Sequence, residues 1–296
     1  MRNILCVTLI ALLGGCTSTS VTEKYQDKRN DIINVKDKVI EFETGNVLIG
    51  SVSRLYMSNK CLLIADHKSV DKQIHIFNKN DFSYLTSIGN FGEGPEEITV
   101  MGCLAIDEAH HQLYVSDHAK QKIFSYDMDS VMVDSLYKPQ VKTAMNETLF
   151  PSEYQYINDT LSIAVLIKPT STSTFNQFLG RWNMNTGEMI PMKYTHPDIQ
   201  KKRITFAASE KAGIYVECYT RHDLMTICSL DGELLYNIYG PDWDGGNGNK
   251  LQSFGTVMIG NDKIFVSYCG EDYARDSFPT KILVFDLEGN YLKTLE

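Results

Sequence analysis

The stretch LLIADHKSVDKQIHIFNKNDFSYLTSIGNFGEGPE, residues 62–96, indicates the fold because later parts of the chain repeat its pattern. Short β-rich runs at Leu62–Ala65, Ile74–Phe77 and Tyr84–Ile88 alternate with polar turns, and a glycine-rich loop follows them. Short strands joined by tight turns pair in antiparallel order. The stretch therefore predicts a small antiparallel sheet.

The same unit recurs about every 50 residues. Asp117 and His118 lie 51 residues after Asp66 and His67, and both pairs follow a β-rich run. Counting on by this offset gives equivalent runs at Leu161–Ile167, Ile214–Tyr219 and Ile264–Cys269. A period of this length with four strands per unit is typical of a β-propeller. We predict one all-β propeller domain over residues 38–296, with five four-stranded repeats.

Three details of the prediction concern individual segments. Val39–Phe42 is a strand candidate before the first repeat, and Asp134–Tyr137 is the candidate fourth strand of the second repeat. No sustained helical period follows the N-terminal apolar run, so we expect no long helix in the domain.

The N-terminus has the order of an export signal. Met1-Arg2 supplies a positive charge, Ile4–Leu13 is too short an apolar run to span a bilayer, and Gly14-Gly15 precede Cys16. Leu13–Cys16 resembles the bacterial lipoprotein box, and the resemblance implies cleavage before Cys16 and acylation of its thiol. We predict a signal peptide at 1–15 and an acylated cysteine with a polar tether at 16–37. An ordinary secretory signal with an incidental cysteine is the alternative.

The composition argues against a nucleic-acid partner, and the number of cysteines predicts mostly free thiols. A net charge of −9 with scattered lysines argues against nucleic acid, which requires a basic patch. Five cysteines follow Cys16, an odd number without a CxxC motif, and we expect mostly buried thiols: Cys61, Cys103, Cys218, Cys228 and Cys269.

The run Ile88–Glu97, with LLIAD before it and LYVSD after it, resembles the TolB-like six-bladed propeller lipoproteins of Bacteroidetes. These are themselves similar to NHL-repeat propellers. The resemblance covers most of Val39–Glu296 and implies six blades, whereas five repeats are visible in this sequence.

Loops that join second to third strands, and one blade to the next, are expected on one face near the channel, and we call this the loop face. The repeat offset places Asp66, Asp117 and Glu217 in one ring there, with Ile167 and Tyr268 completing it. Carboxylates in a ring would suit Ca²⁺, although Asp after a strand also caps turns by accepting backbone N–H groups. A second ring would suit Zn²⁺ and contains His67, His118, Lys168, Cys218 and Cys269.

The loop Gly240–Lys250, GPDWDGGNGNK, is another candidate binding segment. Asp242, Asp244 and Asn247 offer oxygen atoms, and Trp243 offers a flat apolar face of the kind that stacks on sugars. A flexible linker with one packed tryptophan explains the same residues.

The sequence contains no nucleophile elbow, HExxH motif or recognisable triad spacing. We therefore predict a lipid-anchored cell-envelope propeller, on the periplasmic side, that binds an envelope protein, a glycan or a peptide through its loop face, without a required cofactor. The family resemblance also implies an alternative, a metal-dependent hydrolase or lyase that would use the charged side chains of the two rings. A structural component of an envelope complex is a third hypothesis.

Overall fold

The computed structural model describes residues 22–134, 136–199, 203–246, 251–272 and 278–296. They form five sheets in succession along the chain, and the four strands of each blade are antiparallel. The prediction of an all-β propeller with four-stranded blades is confirmed. Helical structure among the described residues is limited to one 3₁₀ turn at Lys36–Lys38 and one short helix. None of the described helices has the length and apolar character needed to cross a bilayer.

The strands are as follows in chain order. Before the first blade come β1 (Glu23–Tyr25) and β2 (Ile32–Ile33). Blade 1 contains β3 (Ser53–Met57), β4 (Cys61–Asp66), β5 (Lys72–Asn78) and β6 (Tyr84–Asn90). Blade 2 contains β7 (Met101–Asp107), β8 (Gln112–Asp117), β9 (Lys122–Asp127), helix α1 (Met128–Val131) and β10 (Gln140–Ala144).

The remaining three blades repeat this order. Blade 3 contains β11 (Phe150–Asn158), β12 (Leu161–Pro169), β13 (Phe175–Trp182) and β14 (Met189–Pro191). Blade 4 contains β15 (Ile204–Ser209), β16 (Ile214–Tyr219), β17 (Leu224–Ser229) and β18 (Leu234–Tyr239). Blade 5 contains β19 (Leu251–Gly260), β20 (Lys263–Asp272), β21 (Lys281–Asp286) and β22 (Tyr291–Leu295).

The second strand is buried on both faces in blades 1 to 4, whereas burial alternates along β20 of blade 5. In β4 every residue is buried, and successive side chains point to opposite faces of the sheet. Leu63 and Ala65 pack in a core cluster with residues of blade 2, whereas Leu62 and Ile64 belong to a separate, smaller cluster. Burial on both faces explains why these runs read as continuous apolar stretches in the sequence.

Four hydrophobic clusters join successive blades, from blade 1 to blade 5. The side chains shared between blades are, seam by seam, Leu63 with Val115, Tyr114 with Tyr154, Val165 with Tyr215, and Val216 with Val266. Each cluster removes apolar area from water, which is the main favourable contribution to folding. The blades are therefore held to one another by their faces.

The seam between blade 5 and blade 1 is different in the part of the chain that the structure describes. The face of blade 1 on that side has only a small cluster, in which Ile49 and Phe82 cover Phe77. Leu55 in β3 is 68% exposed and Met258 in β19 is 56% exposed. Blade 1 and blade 5 thus keep apolar side chains in water at this seam.

The predicted tether is partly structured. Strand β1 pairs in parallel with β18, and β2 pairs in parallel with β22. Residues 23–33 therefore follow the outer edges of blades 4 and 5, and we call this segment the strap. Covering an outer strand satisfies its free backbone groups and protects it from edge-to-edge aggregation. The predicted signal peptide and Cys16 lie outside the described residues.

Two predicted strands are absent from their expected places. Val39–Phe42 forms no described strand, and Phe42 instead stacks on Phe82 with ring centroids 4.6 Å apart. Asp134–Tyr137 was expected to be the fourth strand of blade 2, but that strand is β10, beginning at residue 140. The reason is the short helix α1, which Asp127 caps by accepting the Ser130 N–H at 2.7 Å, so the chain makes a helical turn first.

The cysteines agree with the expectation. All five that follow Cys16 are buried, and no disulfide joins them within the described residues. Burial raises the pKa of Cys103 to about 12, so this thiol stays protonated at neutral pH.

Candidate functional site

Asp66 ends β4 at the loop face, and both of its carboxylate oxygens accept backbone hydrogen bonds. One oxygen accepts the Gly50 N–H at 2.7 Å, and the other accepts the Lys68 N–H at 2.9 Å. The side chain is buried, with 2% exposure. The carboxylate therefore ties the segment before β3 to the turn after β4.

Asp117 has the same place in blade 2 and accepts more bonds. One of its oxygens accepts the Thr99 N–H at 2.8 Å, and the other lies within 3.2 Å of three backbone nitrogens, those of Val100, Ala119 and Lys120. The geometry is that of a cap on two turns. Asp66 and Asp117 each act within their own blade, and among the described residues neither belongs to a group of three side chains close enough to share a metal ion.

His67 and His118 follow these aspartates and occupy equivalent positions. The backbone N–H of His67 donates to the Val52 carbonyl at 3.0 Å, and the backbone N–H of His118 donates to the Val100 carbonyl at 2.8 Å. Nδ1 of His67 lies 3.2 Å from the Met101 carbonyl, whereas Nε2 of each ring is buried and makes no described hydrogen bond. The two imidazoles therefore have unused hydrogen-bonding capacity.

Gly102 allows the His118 ring to approach the backbone of β7. A Cβ atom at Gly102 would lie 2.4 Å from Nε2 of His118, closer than a carbon atom can come. The ring also contacts Phe150 of blade 3, with centroids 6.0 Å apart. The local sequence thus fixes His118 between blades 2 and 3.

An ion pair that sequence reasoning missed lies near these histidines. Arg54 in β3 and Glu153 in β11 form it, with Nη1 and Oε1 2.8 Å apart, and both side chains are half exposed. The pair links blade 1 to blade 3. The sequence did offer one signal for this pair, because Arg54 and Glu153 are oppositely charged residues in the first strands of two repeats.

Electrostatics couple the four side chains, which we call the channel cluster: Arg54, His67, His118 and Glu153. Burial lowers the pKa of His67 and of His118, and the Arg54 guanidinium acts in the same direction. Both imidazoles are therefore neutral at pH 7. Nε2 of each imidazole is buried, so the half-exposed ion pair is the part of the cluster that offers both charges to a polar ligand.

The predicted rings extend incorrectly into blade 4. The Thr220 N–H donates to the Arg203 carbonyl at 2.8 Å, the same bond that His67 and His118 make in their blades. Tyr219 therefore occupies the position of Asp66, whereas Glu217 lies two residues earlier, buried in the middle of β16 opposite Thr226. Steps of 50 residues after Asp117 lead through Ile167 to Glu217, whereas two steps of 51 residues from Asp117 reach Tyr219.

The zinc ligand set is not brought together. Cys218 is completely buried, and burial raises the pKa of its thiol, which disfavours the thiolate that zinc requires. In the described part of the chain, one group of three possible ligands is close enough to share an ion, and it consists of Asp107, His110 and Asp159. These residues lie in or beside the turns between first and second strands, on the face opposite the loop face.

The loop after β18 is held by internal contacts. Trp243 packs against Tyr239 with ring centroids 5.0 Å apart, and also against His196 and His222. Asp244 lies 3.6 Å from Nδ1 of His222. Trp243 thus contributes to packing within the protein, while the candidate ligand Asn247 lies outside the described residues.

A second ion pair, also missed from the sequence, joins the strap to the turn between β16 and β17. Arg29 Nη1 donates to Asp223 Oδ1 at 2.8 Å, and their side chains are 7% and 0% exposed. The other oxygen of Asp223 accepts the Asp242 N–H at 3.1 Å. Burial raises the pKa of Asp223, while Arg29 opposes that shift. Asp223 therefore holds two loops, as Asp66 and Asp117 do.

Comparison with known proteins identifies a family. A family model described as DUF5128, 6-bladed beta-propeller, matches residues 17–178, more than half of the chain. No curated protein matches the sequence.

Solved structures of similar fold come from several sources. A putative exported protein from Bacteroides fragilis NCTC 9343 is 14% identical, with a TM-score of 0.53 over 92% of this chain and 78% of that chain. A member of the duf4221 family from Bacteroides vulgatus ATCC 8482 is 10% identical, with a TM-score of 0.54 over 82% and 80%. A chain from a nidogen/laminin complex is 10% identical, with a TM-score of 0.53 over 80% and 76%. At these identities the likeness concerns the fold.

The structure predicts opposite pKa shifts for His118 of the channel cluster and His110 on the other face. His118 should titrate below the ordinary imidazole value of about 6.5, because burial disfavours its charged form. His110 should titrate above that value, because it hydrogen-bonds Asp107 at 2.8 Å. Below about pH 6.5, His118 takes up a proton more readily in the unfolded protein than in the folded protein. The contribution of His118 to stability is therefore full above about pH 6.5 and becomes smaller as the pH falls. NMR titration of the imidazole carbons measures both midpoints, and a His118 midpoint above that of His110 would contradict the geometry.

Proposed function

Because the chain belongs to the DUF5128 family of six-bladed β-propellers, we propose that it is a lipid-anchored binding module of the bacterial cell envelope. It recognises an envelope protein, a glycan or a peptide through the loop face, where the channel cluster lies. The TolB-like and NHL-like resemblance of Ile88–Glu97 supports a binding role for the same scaffold.

The observation that carries the proposal is the different use of the two kinds of polar side chain at the loop face. The carboxylates of Asp66 and Asp117 already accept backbone N–H groups, so their oxygens are occupied. Nε2 of His67 and of His118 is buried, whereas the neighbouring ion pair of Arg54 and Glu153 is half exposed and can face a ligand. Such a surface suits recognition better than metal-dependent hydrolysis, which requires carboxylates that are available to a metal or a proton.

The proposed address rests on the N-terminal sequence. A charged start, an apolar run and the box Leu13–Cys16 support export followed by acylation of Cys16. A similar fold in a putative exported protein from Bacteroides fragilis is compatible with this address. No acidic run directly follows Cys16, which favours the periplasmic side over the cell surface.

Photo-crosslinking in living cells tests the binding face. A photoreactive residue at Val70, which is 83% exposed in the turn between β4 and β5, should give a discrete crosslinked product. The matched control is Asn80, an exposed residue in the turn between β5 and β6 of the same blade, on the opposite face. Crosslinks from Asn80 alone, or from neither position, would contradict binding through the loop face.

Fractionation of cells tests the anchor. Cys16→Ala should move the protein from the membrane fraction to the soluble fraction and abolish labelling by an alkyne fatty acid, because the substitution removes the thiol proposed to carry the lipid. Cys6→Ala is the matched control, since Cys6 lies inside the apolar run and should leave both properties unchanged. Membrane retention of the Cys16→Ala protein would argue for another mode of attachment.

A further inference from the structure

A cavity of about 220 Å³ lies between the strap and the outer half of blade 5, away from the channel cluster. Its walls combine apolar side chains of the strap and of β21 with charged groups. The residues used below are Arg29, Ile32, Asp242, Tyr268, Lys281 and Leu283. At about 30 Å³ per water, the space would hold roughly seven water molecules.

Arg29 lines this cavity, and its guanidinium has one unused hydrogen-bond donor. Its Nη1 donates to Asp223 at 2.8 Å and its Nε donates to Gln26 at 3.0 Å. The side chain is only 7% exposed, and its Nη2 atom is buried and has no described hydrogen-bond partner. A buried guanidinium donor without an acceptor is unfavourable, so an oxygen atom in the cavity would stabilise it.

The rings around Arg29 fix the direction of the guanidinium. Its central carbon lies 5.4 to 5.7 Å from the ring centroids of Tyr268, Phe254 and Phe285. Together with the Asp223 bond, these contacts hold the group in one orientation before any ligand arrives. A preorganised donor loses little conformational entropy on binding.

Two further charged groups line the cavity. Lys281 is only loosely paired, with Nζ 3.8 Å from Oε1 of Glu296, and both side chains are partly exposed. Asp242 accepts the Tyr268 hydroxyl through Oδ2 at 3.1 Å. The cavity therefore presents two cationic groups and one carboxylate, together with the apolar side chains of Ile32 and Leu283.

We propose that this cavity binds a small carboxylic acid that carries an O–H or N–H donor beside its carboxylate. The carboxylate accepts hydrogen bonds from Arg29 and Lys281, because guanidinium and ammonium groups favour it. The adjacent donor faces Asp242, and the carbon skeleton contacts Ile32 and Leu283. Asp242 disfavours a phosphate dianion through charge repulsion. This site uses none of the channel cluster and does not depend on the function proposed for it.

Titration calorimetry of the full chain in detergent tests the proposal, with lactate and alanine as probes of the hydroxy-acid and amino-acid classes. At least one of them should bind, and propionate, which lacks the donor, and inorganic phosphate should bind at least about tenfold more weakly. Lys281→Gln and Asp242→Asn should each weaken the binding by about tenfold, since each removes one charged partner.

The matched control is Lys211→Gln, because Lys211 forms an exposed ion pair with Asp262 outside the cavity and should leave the affinity unchanged. Urea unfolding of each variant checks that the fold is retained. The proposal is overturned if neither lactate nor alanine binds, if propionate binds equally well, or if the Lys281 and Asp242 variants bind as the unchanged protein does.

Discussion

Hydrogen bonds from backbone N–H groups to buried aspartates organise the loop face of this protein. Loops between blades have no strand partner, so their N–H groups need other acceptors, and a buried carboxylate needs donors in turn. Asp66, Asp117 and Asp223 meet both requirements by joining the turn after a second strand to the segment that enters or leaves the blade. The same bonds occupy the carboxylate oxygens, so the half-exposed ion pair of Arg54 and Glu153 is what the channel cluster offers to a ligand.

The strap satisfies free backbone groups at the outer edges of blades 4 and 5. Its two short strands extend blades 4 and 5, and Arg29 closes a buried ion pair on the Asp223 carboxylate. A buried pair of this kind contributes more to specifying one arrangement than to net stability, because desolvation offsets much of the attraction. The seam between blades 5 and 1 has no comparable closure among the described residues, and Leu55 remains exposed there. In a six-bladed family this seam is the place in the ring where one more sheet would be expected.

The sequence predicted the sheets well and the site less well, for a physical reason. Alternation and turn residues are local, so the second strands and the positions of His67 and His118 followed directly from the repeat. The pattern did not fix the repeat length to a single residue, and steps of 50 rather than 51 residues after Asp117 lead to Glu217 instead of Tyr219. The Arg29–Asp223 contact joins residues 194 positions apart, and no local pattern predicts a partner at such a distance. The helix α1 replaced a predicted strand because a single aspartate cap outweighed a weak strand pattern.

The most direct test of this account compares the unfolding free energy of the unchanged protein and of Asp117→Asn in urea, each with and without a chelator. Asparagine would present an amide N–H₂ to backbone N–H groups that now donate to an oxygen, so the account predicts a loss of about 2–4 kcal/mol. The chelator should change neither protein. If instead the chelator destabilises the unchanged protein by the same amount and leaves Asp117→Asn unaffected, Asp117 is a metal ligand and the account is wrong.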